Sequence, residues 1–507
     1  MPPTAEPRRT APVGLVVKGI AGLRQSVPAL LALIFVMRDE GPILWIALGA
    51  AVLVLAINFL VAWLQWHRLT FHVGEEDIRV ESGILSRAAR SVPYERIQDV
   101  SLEQGPLARI FGLVQVGFDT GAGGKDDLKL AFLTEDEGEE LRELVRARKD
   151  GTAPVGEDGE TAPQEAAPVL FAMGPSRVLT YGVFEFSLAV IAVLFAATQQ
   201  FEFLLPFEIW DFDAWEERLA GPGAWLSGLG PTAQIVGGTI AATSLIAVGF
   251  ATGIVRTALR EWGFLLEKTA KGFRRRRGLL TRTDVVMPVH RVQAMRIGTR
   301  MVRRRFGWHG LKFVSLAQDS GSSSHVVAPF GKLDEIWPVA EVARFERPGE
   351  NVAWQRASSA YRFDSMALAF AIPALIALAA LAVTVAAPVD EVGYPVLALI
   401  PLALGAFLAA GQWIEWRNTL HATDARQILS RRGWLAPRID IAPRVKLQSV
   451  DFRQGPLARW HGYGTLHLGV AGGKLEIPGV PEARAKELRR AVLDSIATTD
   501  FSELNEG

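Results

Sequence analysis

The 507-residue chain contains no cysteine, which excludes disulfide bonds and catalysis by a thiol but leaves the cellular compartment open. Its eight histidines include no pair at the spacing of a helical zinc site, and no G-x-S-x-G nucleophile elbow occurs. The glycine-rich run at 121–125 resembles a phosphate loop, but Asp126 stands where a Ser or Thr is needed. The sequence predicts no enzyme activity, no metal site and no cofactor, and we expect no nucleic-acid partner.

Long apolar runs, by contrast, are frequent. Six segments approach the ~20 residues that cross a bilayer as a helix, at 20–37, 42–65, 178–197, 233–255, 366–387 and 394–414. They group as three predicted transmembrane hairpins, over 20–65, 178–255 and 366–414. The first segment is the least regular, because Lys18 and Arg24 lie at its start and Pro28 interrupts it.

Charge is distributed unevenly around these hairpins, although the net charge of the chain is zero. The loops inside the hairpins hold ten of the 54 acidic residues and two of the 54 basic ones, so the rest of the chain is positive. Because basic residues stay on the cytoplasmic side, both termini and the segments between hairpins are predicted to be cytoplasmic. The sequence thus predicts a multi-pass membrane protein. The acidic outer loop at 198–232, rich in Trp, is interpreted as an interfacial segment or as packing against the membrane helices.

A set of landmark residues returns three times at identical spacing, which indicates three copies of one domain. The landmarks are Gly83, Pro93, Gln98, Arg109 and Gly112, then Gly278, Pro288, Gln293, Arg304 and Gly307, then Gly433, Pro443, Gln448, Arg459 and Gly462. Residues 104–109 recur unchanged at 454–459. Copy two departs from this pattern at 300–303, so we expect a loop of different shape or role there.

Each copy is predicted to be a small antiparallel β unit that ends in one helix. Runs with period-two alternation indicate half-buried strands, and the recurrent Gly and Pro positions fit turns. The closing helices are predicted at 134–149, 332–345 and 481–496, the first with a capping box of Thr134 and Glu137 and the second disturbed by Pro338. The three domains then span 66–149, 256–348 and 415–500, with a cytoplasmic tail over 1–19 and a flexible linker over 150–168.

These features resemble the bacterial pleckstrin-homology (PH)-like domain of the YdbS and YdbT membrane proteins, in its triple-repeat form. The resemblance rests on paired membrane helices, the Gly-aliphatic-Leu turn, the Pro ten residues on, and the segments 97–100 and 109–112. It covers nearly the whole chain. It implies a β sandwich or partly open barrel of about seven strands, capped by a C-terminal helix. It implies no established enzyme activity, and it suggests an involvement in envelope stress or antimicrobial resistance.

Basic clusters near the membrane are the strongest candidates for a binding site. They comprise Arg274, Arg275, Arg276, Arg277, Arg300, Arg303, Arg304, Arg305, Arg431 and Arg432. Beside an anionic leaflet each such residue contributes about 1 kcal/mol of attraction, so lipid headgroup contact is one interpretation. The alternative is that they are solvated charges that enforce topology.

The landmark residues themselves are interpreted as structural. Glycine recurs where the backbone needs freedom that other residues lack. Arg109, Arg304 and Arg459 are predicted to bond to backbone carbonyls in a fold-defining turn rather than to a ligand.

Glu185 is the one carboxylate well inside a predicted span, and an intramembrane acid suggests a proton or ion relay. No basic partner is evident in the other spans, so a hydrogen bond between helices or snorkelling is the favoured interpretation. Gly249 and Gly253, spaced as G-x-x-x-G, predict close helix packing.

Two functions follow from these observations. The first is a plasma-membrane scaffold whose three cytoplasmic PH-like domains bind anionic lipid, a protein partner or one another, since linked weak sites raise effective concentration. The alternative is a transporter or export accessory protein that the domains regulate. Few polar residues occur in the spans, and no paired broken helices of the kind that mark a transporter site are predicted.

Overall fold

The computed structural model describes residues 7–20, 42–83, 88–97, 99–120, 128–149, 167–187, 189, 221, 230–270, 272–319, 322–386 and 398–498. The predicted span at 20–37, the loop at 198–232 and the linker at 150–168 lie wholly or largely outside these ranges, as does Gln98. Two compact units divide the chain. Unit 1 comprises Met1–Ala167, Ala172–Leu265 and Arg274–Val286, and unit 2 comprises Pro168–Phe171, Leu266–Phe273 and Met287–Gly507.

Repeat 1 lies in unit 1. It consists of α1 (Pro42–Arg68), β1 (Thr70–Val73), β2 (Asp77–Ser82), β3 (Ala88–Pro93), β4 (Asp99–Gln104), α2 (Pro106–Ile110), β5 (Leu113–Asp119), β6 (Leu128–Thr134) and α3 (Glu135–Lys149). Strands β1–β2–β3 form one antiparallel group and β4–β5–β6 another. Their shared core includes Ile78 and Phe118, and α3 adds Leu141. The predicted capping box is confirmed, because Thr134 and Glu137 bond to each other's backbone N–H.

Repeat 2 contributes residues to both units. It consists of β7 (Val169–Ala172), α4 (Pro175–Phe184), α5 (Gly230–Glu261), β8 (Leu265–Lys268), β9 (Gly272–Arg277), β10 (Arg282–Pro288), β11 (Val292–Gly298), α6 (Met301–Arg305), β12 (His309–Asp319), β13 (Ser322–Gly331) and α7 (Leu333–Val342). In unit 2, the Phe313 ring packs on Phe273 and Phe345, with ring centroids 5.4 and 6.0 Å apart. Helix α7 forms despite Pro338 in its interior.

Repeat 3 lies in unit 2. It consists of β14 (Gln355–Arg356), α8 (Ser359–Ala386), α9 (Leu399–Asn418), β15 (Leu420–Thr423), β16 (Gln427–Arg432), β17 (Arg438–Pro443), β18 (Leu447–Arg453), α10 (Pro456–Trp460), β19 (Tyr463–Val470), β20 (Gly473–Pro481) and α11 (Glu482–Thr498). Its core combines alternate residues of β19, such as Leu466 and Leu468, with Leu488 and Val492 of α11. This alternation is the predicted pattern of half-buried strands.

Three helices in the described part of the chain are long and apolar enough to cross a membrane, at Gly230–Glu261, Ser359–Ala382 and Leu399–Asn418. At most 11% of each apolar stretch is buried within the protein, as expected of helices that face lipid. Helices α8 and α9 pack closely where Gly405 meets Phe370 and Pro373. The shorter apolar helix Val52–Arg68 lies within α1, at the predicted second span.

The predicted span at 178–197 is not a continuous helix. Helix α4 ends at Phe184, and Glu185 adopts a non-helical conformation as its C-cap. The backbone N of Ser187 then donates to the carbonyl of Gly249 in α5 at 3.1 Å. A Cβ at Gly253 would lie 2.5 Å from the Glu185 carbonyl, so Gly249 and Gly253 do permit close packing, as predicted.

A short pairing segment precedes each predicted hairpin, and this segment was not itself predicted. In unit 2, β14 pairs antiparallel with β15, and the backbone N of Lys268 donates to the carbonyl of Pro168 at 2.9 Å. In unit 1, Arg8 forms a bridge with Phe71. The tail predicted over 1–19 is therefore packed from Arg8 onward, because its backbone completes the sheet edge.

Neighbouring repeats join through their strands in one common register. In unit 1, β4 pairs with β10 and places Leu102 opposite Asp284. In unit 2, β11 pairs with β17 and places Ile297 opposite Ile439. Counted from the landmarks, both pairs join the fourth residue after the Gln to the fourth residue before the Pro. The fourth strand of one repeat therefore extends the third strand of the next.

The landmark glycines occupy backbone conformations that other residues rarely adopt. Gly278 and Gly433 have φ of 112° and 95°, and a Cβ would lie 1.8 and 2.3 Å from the carbonyl oxygens of Thr281 and Ala436. Only glycine fits such a turn. Gly112, Gly307 and Gly462 likewise have φ between 64° and 69°.

Candidate functional site at the junction rim

The loop after the fourth strand has one shape in all three repeats. The short helices α2, α6 and α10 occupy it. In each repeat, one side chain closes this loop by donating a hydrogen bond to the backbone carbonyl nine residues further along the chain. The three bonds are Gln104 to Leu113 at 3.2 Å, Thr299 to Trp308 at 2.6 Å and Gln454 to Tyr463 at 2.8 Å. The expectation of a different loop shape in copy two is wrong, because Thr299 makes the same bond as the glutamines.

The turn that carries the first landmark glycine lies against the end of a membrane helix. In unit 2, the backbone N–H groups of Gly433 and Trp434 donate to the carboxylate of Glu415 in α9, at 2.9 and 3.1 Å. In unit 1, the backbone N of Gly278 donates to the carbonyl of Trp262, which follows α5, at 2.8 Å. These bonds hold each turn beside the last turns of a helix that can span a bilayer.

Helix α6 lies beside this turn of repeat 3. The backbone N of Met301 donates to the carbonyl of Leu435 at 2.8 Å, and that of Thr299 donates to Pro437 at 2.9 Å. We call residues 300–306 together with 431–437 the junction rim. It combines one loop from repeat 2 and one from repeat 3, both within unit 2.

The junction rim exposes large apolar side chains. Val302, Phe306 and Leu435 are 62%, 58% and 55% exposed. Trp460 of the corresponding helix α10 is 81% exposed. Exposed apolar residues that cluster beside membrane helices favour contact with the lipid interface, where aromatic rings are enriched. Sequence reasoning missed these residues, although they were visible as apolar positions between arginines.

Arginines from both loops lie at the same rim. Arg304 and Arg305 are exposed on α6. Burial lowers the pKa of Arg431, and the nearby charge of Arg304 lowers it further. The two like charges thus lie close together, at a position where an anion would be stabilised by both.

Other candidate arginines serve the fold. Arg274 donates to Asp284 at 3.0 Å, and Arg277 donates to Glu261 at 3.0 Å. Three further members of this group are buried or bonded within a repeat. Arg275 is buried, Arg303 is buried and donates to the carbonyl of Pro329 at 3.0 Å, and Arg432 donates to Glu476 at 3.3 Å. Arg276 and Arg300 are half-buried and exposed, respectively.

Carboxylates with little exposure join the repeats within each unit. In unit 1, Asp284 of repeat 2 accepts from Arg142 of repeat 1 at 3.1 Å, and the Arg142 side chain is 0% exposed. Burial alone would raise the pKa of Asp284, but the hydrogen bond from Arg274 and the charge of Arg142 outweigh it and lower that pKa. In unit 2, Asp440 of repeat 3 accepts from Arg296 of repeat 2.

The landmark arginine of repeat 1 bonds to a backbone carbonyl of the next repeat rather than within its own turn. Arg109 Nη1 donates to the carbonyl of Leu279, in the turn of repeat 2 within unit 1. Arg459 is exposed on α10. Among the other landmarks, Gln293 donates to the carbonyl of Arg291 at 3.2 Å, whereas Gln448 is exposed.

Glu185 has the basic neighbour that the sequence did not reveal. It lies close enough to Arg260 of α5 for the two charges to interact. Arg260 also donates to Tyr181 of α4 at 3.3 Å and to Glu261 at 2.7 Å. Polar contacts therefore join α4 to the end of α5. Within the described ranges, no group of three or more acidic or histidine side chains could hold a metal ion.

Comparison with known proteins identifies the repeated unit. The model of the bacterial PH domain matches residues 26–149, 225–342 and 367–496, which is most of the chain. The UPF0699 transmembrane protein YdbT of Bacillus subtilis (strain 168) is 22% identical over 328 residues, covering 61% of this chain and 63% of that protein. The match thus spans less than two thirds of its length. No solved structure matches the chain significantly. The chain belongs to the bacterial PH domain family, as a membrane protein that carries the domain three times.

Proposed function

We propose that this protein is a non-enzymatic scaffold of the bacterial plasma membrane. Each hairpin is followed by a PH-like β sandwich that a helix caps, and the three domains lie on the cytoplasmic side. The junction rim then contacts the anionic inner leaflet. The observation that carries this proposal is the position of the rim beside the membrane helix α9, with apolar and arginine side chains exposed together.

The rim has the two components that interfacial binding requires. Val302, Phe306 and Leu435 supply apolar area for the acyl boundary, and Arg304, Arg305 and Arg431 supply attraction to anionic headgroups. The loss of two arginines would lower the equilibrium for lipid contact by about 30-fold, at about 1 kcal/mol each. The ion-paired Arg274 and Arg277 serve this role less well, because their charges already have partners.

A depth measurement on the full-length protein in liposomes tests the proposal. Because the chain has no cysteine, Val302→Cys provides a single site for an environment-sensitive fluorophore. The label is expected to be quenched by lipid-borne quenchers, more strongly in vesicles with anionic lipid and at low salt. Lys474→Cys is the control site, because Lys474 lies in β20 opposite Gly469 of β19, about 20 Å along the strand from Tyr463.

Charge-matched variants separate specific contact from general attraction. Arg304→Gln with Arg431→Gln is expected to remove the dependence on anionic lipid. Arg489→Gln with Arg490→Gln removes two exposed charges from α11 and should leave it unchanged. Equal quenching at both label sites, or an equal effect of both double variants, would contradict a lipid-contacting rim.

A second candidate function rests on the helix break at Glu185. Discontinuous helices form the central sites of many transporters. The break brings Glu185 near Arg260, so an accessory role in transport is the alternative. Glu185→Gln at normal protein level would then impair growth or efflux, whereas a scaffold would tolerate it.

A further inference from the structure

The two junctions between repeats leave one unused strand at each end of the array. In the described residues, β3 of repeat 1 ends the group β1–β2–β3, and β18 of repeat 3 ends the group β18–β19–β20. Within the described residues, no strand pairs with the second edge of either one. Both strands correspond to positions that pair in the internal junctions.

Exposure follows this difference between internal and terminal strands. Asp440 of β17 is 1% exposed, whereas its counterpart Arg90 in β3 is exposed. Ala294 of β11 packs into the core of repeat 3, whereas its counterpart Ser449 in β18 is exposed. An internal strand therefore buries residues whose terminal equivalents face solvent.

The common register specifies how the terminal strands would pair. Residues after the landmark Gln448 would face residues before the landmark Pro93 at equal distances along the chain. Asp451 then lies opposite Arg90, and Phe452 lies opposite Ala89. Opposite charges in directly facing cross-strand positions stabilise a pair, and like charges destabilise it.

The facing charges reproduce an observed pair with the signs exchanged. In the junction between repeats 2 and 3, Arg296 lies opposite Asp440 and donates to it. At the terminal edges the same two positions hold Asp451 and Arg90. Charged residues on an edge strand can also prevent two sheets from pairing. Like charges on the two edges would have that effect, whereas the charges of Asp451 and Arg90 are complementary.

We propose that β18 of one chain pairs with β3 of a second copy, in the register of the internal junctions. The interface is head-to-tail, because it joins two different surfaces of identical chains. A second copy therefore has its own free β18 and extends the array. This proposal is independent of lipid contact by the junction rim.

Cysteine cross-linking in the full-length protein tests the pairing. A Cβ at Gly298 would lie 4.0 Å from the Cβ of Arg438, which is suitable for a disulfide. The equivalent positions at the terminal edges are Arg453 and Ala88. Differently tagged copies with Arg453→Cys or Ala88→Cys are co-expressed, and their membranes are oxidised. Gly298→Cys with Arg438→Cys in one chain is the positive control.

We expect a disulfide between Arg453→Cys and Ala88→Cys that joins the two tagged copies. It should form at least about tenfold faster than the disulfide with Ser91→Cys, because position 91 is out of register with position 453. Asp451→Arg should lower the cross-linked fraction about two- to fivefold, and adding Arg90→Asp should restore it. The proposal is overturned if no disulfide joins the two tags while the positive control forms, or if the out-of-register pair forms its disulfide at an equal rate. It is also overturned if a chain that carries both Arg453→Cys and Ala88→Cys forms the disulfide only within itself.

Discussion

Removal of the Asp284 carboxylate is expected to open the junction between repeats 1 and 2. Asp284 accepts from Arg142 and Arg274, and the Arg142 side chain is completely buried. The Asp284→Asn variant therefore leaves a buried guanidinium without its main counterion. Breaking a buried ion pair in this way costs about 3–5 kcal/mol.

The structure places the expected cost at the lower end of this range. Arg142 retains a contact with Glu139 at 3.3 Å, and that carboxylate is 43% exposed. We therefore expect a loss of about 3 kcal/mol, which corresponds to about a 150-fold larger opening constant. Arg142→Met with Asp284→Leu should cost less than Asp284→Asn alone, because no charge remains buried and unpaired.

Amide hydrogen exchange of the full-length protein in nanodiscs measures this opening locally. The protection of β4 and of Arg282–Asp284 should fall, because these residues form the junction pairing. Arg426→Gln is the control, since its ion pair with Glu346 is largely exposed on both sides and should change protection by about twofold or less. A change below threefold in β4, or an equal change in β19, would refute the reasoning.

Three further outcomes are expected. Gly278→Ala and Gly433→Ala should each lower the unfolding temperature and cost at least about 2 kcal/mol, whereas Gly349→Ala, which has open space around it, should not. Burial and the charge of Arg484 lower the pKa of His421 to about 4, whereas the unfolded chain binds this proton below about pH 6.5. The free energy of unfolding of repeat 3 should therefore fall by about 3 kcal/mol as pH falls from 6.5 to 4. The His421→Phe variant should lack this pH dependence. The pKa of Asp284 is lowered in the folded protein, so its contribution to the stability of the junction is present above about pH 3.9 and is lost as pH falls further. Amide hydrogen exchange at the junction should therefore accelerate at acid pH in the unmodified protein but not in Asp284→Asn.

The recurring landmarks made the repeats and their turns predictable. Gly278 and Gly433 indicated positions of positive φ, because few residue types can occupy such a turn. The fixed spacing to Pro288 and Pro443 indicated the end of the following strand. Period-two alternation predicted strands in the same way. It does not specify the neighbour of a strand, so the pairing of β4 with β10 was not predicted.

The candidate site was predicted only in part for a similar reason. The run at 274–277 was interpreted as a surface cluster from its charge alone. Its partners, Glu261 and Asp284, lie 16 and 10 residues from Arg277 and Arg274, and only the fold brings them together. The exposed apolar residues of α6 were overlooked, because five residues are too few to show a helical period.

The strand that precedes each hairpin links the order of synthesis to the order of folding. Strand β14 emerges from the ribosome before α8 and α9, but its partner β15 follows them, so this edge pairs only after both helices have been made and inserted. A hairpin that fails to insert would leave its domain with an open edge, which cellular proteases can recognise. The pairing of β14 with β15 therefore makes completion of this sheet edge depend on the prior synthesis of α8 and α9.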